Sequence, residues 1–139
     1  MSVAFSFRQA ALHASHFVHH FTGEYNMNNI NMQACIDACS HCHQTCLHTA
    51  MTHCLVIGGK HVEANHFRLM INCAEICQAS ANFMLSGSAF HQKVCAVCAE
   101  ICDACAKSCE EIGDMEDCVM ACHECAESCR KMAATWPLD

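Results

Sequence analysis

Cysteine is the residue type whose number and spacing could do chemistry in this chain, because 16 of the 139 residues are cysteines. The pattern C-x3-C-x2-C-x3-C occurs three times, and Cys95 extends the second copy backward by one step. A further segment keeps only Cys73 and Cys77, and Cys54 stands apart. The three complete copies consist of Cys35, Cys39, Cys42 and Cys46, of Cys98, Cys102, Cys105 and Cys109, and of Cys118, Cys122, Cys125 and Cys129.

This spacing predicts rows of thiols along one face of each helix. Residues at offsets of 0, 4, 7 and 11 fall within an arc of roughly 60° on an α-helix and rise by about 16 Å along it. Such positions form the buried seam that a helix bundle normally fills with leucine and isoleucine. Three complete cysteine rows therefore predict a bundle interior lined with sulfur. In a regular helix Cys54 would lie about 90° from the row of its own helix, on the flank.

The softness of thiolate sulfur narrows the choice of metal. Thiolates favour Cu(I), Zn(II) or iron–sulfur clusters, and the clusters are held on loops that wrap around them. A tetrathiolate Zn(II) site carries two excess negative charges, and a buried stack of such sites would have no inward Lys or Arg to balance it. Each Cu(I) balances one thiolate, so a filled interior can be neutral. We therefore expect many Cu(I) ions per chain, with Zn(II) or general soft-metal buffering as the alternative.

Other ligands continue the rows beyond the cysteines. At one end these are Met32, Met84, His91 and Met132, and at the other they are His53, His66, Met70 and Met115. Thioether sulfur and imidazole bind Cu(I) without losing a proton, which suits places where ions arrive and leave. Adaptable packing explains the methionines equally well. Several side chains point away from the rows and could lie at an oligomer interface or in solvent, namely His41, His48, Met51, Met120 and His123.

The elements that position these residues are expected to be four helices, over about 28–57, 60–86, 88–112 and 115–135. These segments are rich in helix-forming residues, show no strand alternation and end near glycines. Only one or two residues separate each of these segments from the next, and such short connections join antiparallel helices. The expected fold is all-α: an antiparallel up-down-up-down four-helix bundle preceded by a short amphipathic helix over about 4–21. The length suits a single domain over 1–139.

Charge and hydropathy exclude other classes of protein. A formal net charge of −7, with only 7 Lys and Arg, argues against nucleic acid as a partner. No run approaches the ~18 apolar residues of a membrane span. Histidines such as His13 and His16 interrupt any signal-peptide stretch near the N-terminus. We therefore expect a cytoplasmic protein, because thiols stay reduced there and clustered cysteines serve metal or redox chemistry.

With repeated C-x3-C-x2-C-x3-C rows on its helices, the chain resembles the cytosolic branch of the bacterial copper storage proteins over about 28–135. The resemblance implies a non-enzymatic, usually homotetrameric protein that stores or detoxifies Cu(I). It also implies exchange of copper with a donor or acceptor protein or a small thiol. A ligand role is carried over to all sixteen cysteines, with Cys54 the least direct match. The second helix departs from the pattern at Met70, Ser80 and Met84, so fewer ions are expected there.

Two enzyme classes also fit parts of the pattern. Four C-x-x-C pairs suit a thiol redox protein, but no βαβ context accompanies them and that chemistry uses one accessible thiol of low pKa. A ferritin-like di-iron oxidase needs a Glu-x-x-His motif on each of two helices and further inward Glu residues. Glu63 and His66 form the only such motif in the sequence. Storage without catalysis is therefore the preferred interpretation.

Overall fold

The structure is a computed structural model, and it describes residues 31–134. Every regular element among these residues is helical, which confirms the all-α prediction. The helices are, in chain order, α1 over 31–57, α2 over Ala64–Leu85, α3 over His91–Ile112 and α4 over Glu116–Ala134.

Helices that pack side by side run antiparallel, as the short connections predicted. On α1, the Sγ of Cys35 lies 3.8 Å from that of Cys129, whereas Cys46, later in α1, lies 3.6 Å from Cys122, which is earlier in α4. The same reversal holds between α2 and α3, with Sγ–Sγ distances of 3.7 Å for Cys73 with Cys102 and for Cys77 with Cys98. The predicted four-helix bundle is confirmed.

The carboxylate of Glu63 determines where α2 begins. Its Oε2 accepts hydrogen bonds of 3.1 Å from the backbone N–H groups of His66 and Asn65, which would otherwise lack a partner in the first turn. These two bonds lower the pKa of Glu63 below its usual value. The helix therefore begins at Ala64 rather than near residue 60, and the preceding Gly59–Val62 form a 3-10 turn.

The start of α3 also differs from the expected position, at His91 rather than residue 88. The Oγ of Ser88 accepts a hydrogen bond of 3.1 Å from the N–H of Phe90, and its carbonyl oxygen accepts one of 3.3 Å from the N–H of His91. Gly87 reverses the chain just before this turn with a φ of +65°, a conformation that residues with a Cβ rarely adopt.

Small residues fill the centre of the bundle. All sixteen cysteines are buried, together with alanines such as Ala50 and Ala106. Within 31–134 the one buried branched aliphatic side chain is Ile36. Larger side chains such as Phe67 and Ile101 are half-buried and pack against the outside of this core. The interior is therefore a narrow column of sulfur and methyl groups, where leucine and isoleucine would ordinarily lie.

The chain divides into two compact units, Met1–Asn31 and Met32–Asp139. The expected helix over 4–21 lies outside the described residues, and a single domain over 1–139 stays a prediction. None of the helices described combines the length and hydropathy that crossing a bilayer requires.

Candidate metal centre

The cysteine rows of α1, α3 and α4 face one another along the centre of the bundle, as their spacing predicted. Each of the sixteen cysteines is at most 1% exposed, and none is joined to another by a disulfide. The two thiols of α2 complete the fourth side: the Sγ of Cys77 lies 3.4 Å from that of Cys102 and 3.7 Å from that of Cys125. The interior therefore presents thiols from all four helices to one another.

A π-helical turn, Ala50–Cys54, changes the position of Cys54. The backbone N–H of Leu55 donates to the carbonyl oxygen of Ala50, five residues earlier, so this turn contains one extra residue. The extra residue compensates the offset of about 90° that a regular helix would give. Cys54 is fully buried and interacts electrostatically with Cys118 and Cys105. The predicted flank position is therefore wrong, because it assumed regular helical geometry throughout α1.

Twelve of the thiols form four groups in which all sulfur atoms lie within 4.8 Å of one another. Cys129, Cys125 and Cys42 each belong to two groups, and they connect the four groups into one continuous thiol array. In order along the bundle, the groups are Cys35/Cys95/Cys129, Cys39/Cys98/Cys125/Cys129, Cys42/Cys77/Cys102/Cys125 and Cys42/Cys46/Cys73/Cys122. Sulfur can bridge soft ions, so this thiol array can hold neighbouring ions through shared ligands.

The electrostatics of the interior favour bound cations. Among the described residues, no Lys or Arg is buried, so ionised thiols depend on one another for stabilisation. Hydrogen bonding with Cys102 and Cys122 lowers the pKa of Cys42 below its usual range, whereas burial raises the pKa of Cys54. Each further ionisation adds uncompensated negative charge in a medium of low dielectric constant. A cation bound to the sulfur atoms would balance that charge.

The four thiols outside the array lie at the end of the bundle where α1 ends and α2 begins. Here the donors are mixed: the Sδ of Met70 lies 3.4 Å from the Sγ of Cys109 and 3.7 Å from that of Cys105, and Met70 is fully buried. Met115 is 3% exposed at the start of α4. We call this region the mixed-ligand end; it comprises Cys54, Cys105, Cys109, Cys118, Met70, Met115 and the three histidines His53, His61 and His66.

These three imidazoles each have a buried nitrogen without a hydrogen-bond partner: Nε2 of His53, Nδ1 of His61 and Nε2 of His66. The other nitrogen of His66, Nδ1, lies 2.7 Å from the Oγ of Ser108, which orients the ring. Burial lowers the pKa of His66, so this imidazole is neutral at neutral pH. The rings of His53 and His61 meet edge to face with centroids 5.1 Å apart. Neutral imidazoles with an unpartnered nitrogen are suitable metal ligands.

His61 was not among the residues predicted from the sequence. It lies in the 3-10 turn before α2 and is 3% exposed, outside the helical periodicity that identified the other ligands. Its sequence position is nonetheless a signal. His61 lies only five residues before the inward-facing His66, so the two histidines must lie near the same end of the bundle.

The opposite end carries the other predicted extensions of the rows. Met84 and Met132 are buried, and Met32 is half-buried against the core. His91 is half-buried, and its Nδ1 lies 2.7 Å from the carbonyl oxygen of Ser88, to which it donates a hydrogen bond. Among residues 31–134, the predicted ligands at this end are therefore thioethers and one imidazole, that of His91, with one nitrogen already engaged.

Ser80 lies on the inward face of α2, three residues after Cys77, where the other helices carry cysteine. It is fully buried and its Oγ has no hydrogen-bond partner. Met70 and Met84 on the same helix are also buried. The inward face of α2 therefore presents fewer thiols than the other three, as predicted.

The residues expected to point outward are exposed. His41, His48 and His123 lie on the surface, as do Met51 and Met120. The Nε2 of His123 lies 2.9 Å from a carboxylate oxygen of Glu110, which gives this histidine a partner unrelated to the thiol array.

Comparisons with known proteins agree with this architecture. The family model described as copper storage protein matches residues 28–134. The crystal structure of the Nmul_A1745 protein from Nitrosospira multiformis is 70% identical, with a TM-score of 0.77, and the match covers 78% of this chain and 99% of that one. A structure of Cu(I)-bound copper storage protein BsCsp3 is 38% identical, with a TM-score of 0.69 over 74% of this chain and 98% of its own. The cysteine-rich protein YhjQ of Bacillus subtilis is 39% identical over 104 residues, which is 73% of this chain and 95% of YhjQ.

The chain therefore belongs to the copper storage protein family. Membership of this family confirms the resemblance drawn from the cysteine rows, and it confirms copper as the metal expected for them. The family is one of storage proteins rather than enzymes.

Proposed function

We propose that this chain stores many Cu(I) ions on cysteine thiolates inside the bundle. The observation that carries the proposal is the thiol array, in which Cys42, Cys125 and Cys129 connect four groups of sulfur atoms. A relative of 38% identity has been determined with Cu(I) bound. Thiolate ligands favour Cu(I), and each monovalent ion balances one thiolate, so the interior can fill without accumulating charge.

The experiment that tests this proposal is an anaerobic titration of the reduced protein with Cu(I) in competition with a chromophoric chelator. We expect tight binding of many ions per chain, approaching roughly one ion per thiol, because charge balance permits that ratio. Saturation at one or two ions would contradict storage and would indicate a copper-transfer or redox protein instead.

Copper enters and leaves, in this proposal, through the mixed-ligand end. A cavity of about 250 Å³ at this end is lined by His53, Met115 and Cys118, with Asp114 and Asp117 among its other lining residues. Carboxylates raise the local concentration of cations. Imidazole and thioether ligands lose no proton when they bind an ion, so an arriving Cu(I) meets them before it reaches thiols that must be deprotonated.

Replacing His53 and His66 together by alanine should slow copper uptake more than it lowers capacity. We expect the initial rate of Cu(I) transfer from a chelator to fall by about tenfold, equivalent to about 1.4 kcal/mol in the barrier, while capacity falls by no more than the ions these residues hold. Stopped-flow mixing measures the rate. His91→Ala is the matched control, since it removes an imidazole from the opposite end; equal slowing in that variant would contradict uptake through the mixed-ligand end.

The wider biological setting is proposed on the same basis. The protein works in the cytoplasm, where sixteen thiols stay reduced, and it catalyses no reaction. Its partners are a copper donor or acceptor protein or a small thiol. It assembles as a homotetramer, by resemblance to its family; the exposed Met51 and Met120 line a groove between α1 and α4 that offers apolar surface for such contacts.

A further inference from the structure

One of the four thiol groups has a regular geometry that calls for separate explanation. In the group Cys42/Cys46/Cys73/Cys122, which we call the sulfur cage, all six Sγ–Sγ distances lie between 3.6 and 3.9 Å. Four points with six nearly equal separations form a tetrahedron. Elsewhere in the thiol array the Sγ–Sγ distances vary more, from 3.4 Å for Cys77 with Cys102 to 4.0 Å for Cys125 with Cys129.

The size of the sulfur cage matches one metal ion at its centre. In a tetrahedron of this edge length the centre lies about 2.3 Å from each corner, which is the Zn–S distance in four-coordinate zinc sites. The four ligands are already placed, since Cys42 and Cys46 come from α1, Cys73 from α2 and Cys122 from α4, and all are fully buried. Binding therefore requires deprotonation of the thiols but no rearrangement of the helices.

We propose that the sulfur cage binds one tetrahedral divalent d10 ion, Zn(II), when the bundle carries no copper. This site goes beyond copper storage and does not rest on it. Binding forms four Zn–S bonds and releases up to four protons, one from each thiol. The ion joins α1, α2 and α4, so it stabilises the folded chain before copper arrives.

A neighbouring thiol can stabilise the negative charge of a single such site. A Zn(II) ion with four thiolates keeps two excess negative charges, which hydrogen-bond donors must stabilise because no Lys or Arg is buried within residues 31–134. The Sγ of Cys102 lies 3.7 Å from that of Cys73, and its S–H can donate to the cage sulfur. The four cage thiols are themselves part of the thiol array, so filling the array with Cu(I) excludes Zn(II) from the cage.

The test uses the reduced, copper-free full chain under anaerobic conditions. Zn(II) is titrated against a chromophoric chelator, and Co(II) is bound as a spectroscopic probe because its visible bands report tetrahedral thiolate coordination. We expect one ion per chain, a tetrahedral Co(II) spectrum and a rise in the thermal unfolding midpoint on adding Zn(II). Cys46→Ser should weaken Zn(II) binding by more than about 100-fold, beyond the effect of groups that only orient a ligand.

The matched control is Cys35→Ser, which alters an equally buried thiol of the same helix row outside the sulfur cage. Its affinity for Zn(II) should stay within about threefold of the unmodified chain, less than one-tenth of the loss in Cys46→Ser, even where its copper capacity falls.

The proposal is overturned if the unmodified chain binds no Zn(II), if it binds several ions equally, or if the two variants behave alike. Should Cys46→Ser fail to fold, as circular dichroism would reveal, a non-tetrahedral Co(II) spectrum in the unmodified chain still overturns it. Copper capacity is measured in a separate titration. The copper-storage proposal and the zinc-site proposal can therefore fail independently of each other.

Discussion

Replacing Cys42, Cys125 and Cys129 together by serine is expected to remove more copper than three thiols account for. Each of these residues belongs to two of the four groups, so the triple variant leaves every group incomplete. We expect the capacity to fall by clearly more than the roughly three ions that one ion per thiol would predict. Bridging ligands hold neighbouring ions together, and ions that lose a shared thiolate lose part of their own coordination.

The control for this experiment changes the same number of cysteines without touching a shared one. Cys54, Cys109 and Cys118 are all buried, lie outside the four groups and belong to the mixed-ligand end. Their replacement by serine should remove roughly three ions or fewer, as one ion per thiol implies. Both capacities are measured by anaerobic Cu(I) titration. Equal losses in the two triple variants would show that the thiols act independently and that the continuity of the array has no energetic meaning.

Lowering the pH from about 7.5 to about 5.5 is expected to weaken Cu(I) binding by up to about 100-fold per ion, because each ion that displaces one proton loses tenfold per pH unit. Binding weakens at lower pH because protons compete with Cu(I) for the thiol sulfur. A thiol whose pKa lies above the pH holds its proton, and that proton competes with the metal more strongly as the pH falls. Burial raises the pKa of Cys54, so binding at this residue should weaken throughout the interval.

Not every thiol should contribute to this pH dependence. Hydrogen bonding with Cys109 lowers the pKa of Cys118 to about 4, so we expect Cys118 to release fewer protons than Cys54 when an ion binds. The average number of protons released per ion should therefore be somewhat below one. Titration with Cu(I) in weakly buffered solution with a pH indicator counts the protons. An affinity that does not change with pH would mean that the ligands are already ionised, contrary to the environment of the thiols.

The arrangement of the cysteine rows could be predicted from the sequence because, in a regular helix, the number of residues between two positions fixes the angle between their side chains. Cys35, Cys39, Cys42 and Cys46 all lie inside, as their offsets required. The same reasoning failed at Cys54, because nothing in the local residue pattern announces a π-helical turn. It also could not place His61, whose burial depends on how the 3-10 turn connects two helices rather than on periodicity.

The connections among the thiols could not be predicted at all. Which sulfur atoms meet depends on the axial offset and rotation of each helix against its neighbours, and these follow from packing of the whole bundle. The sequence indicates that Cys42 and Cys46 share a face, but not that Cys73 and Cys122 complete a tetrahedron with them. The identity of the shared residues, and therefore the strongest prediction about capacity, comes from the structure.

The π-helical turn of α1 has a consequence for engineering helical bundles. A regular helix can keep a straight line of inward side chains only for a limited length, because 3.6 residues per turn makes such a line drift sideways. One inserted residue at Ala50–Cys54 resets this drift and gives α1 an additional inward position at its end. A single-residue insertion near a helix terminus is thus a compact way to lengthen a ligand-bearing face without redesigning the loops.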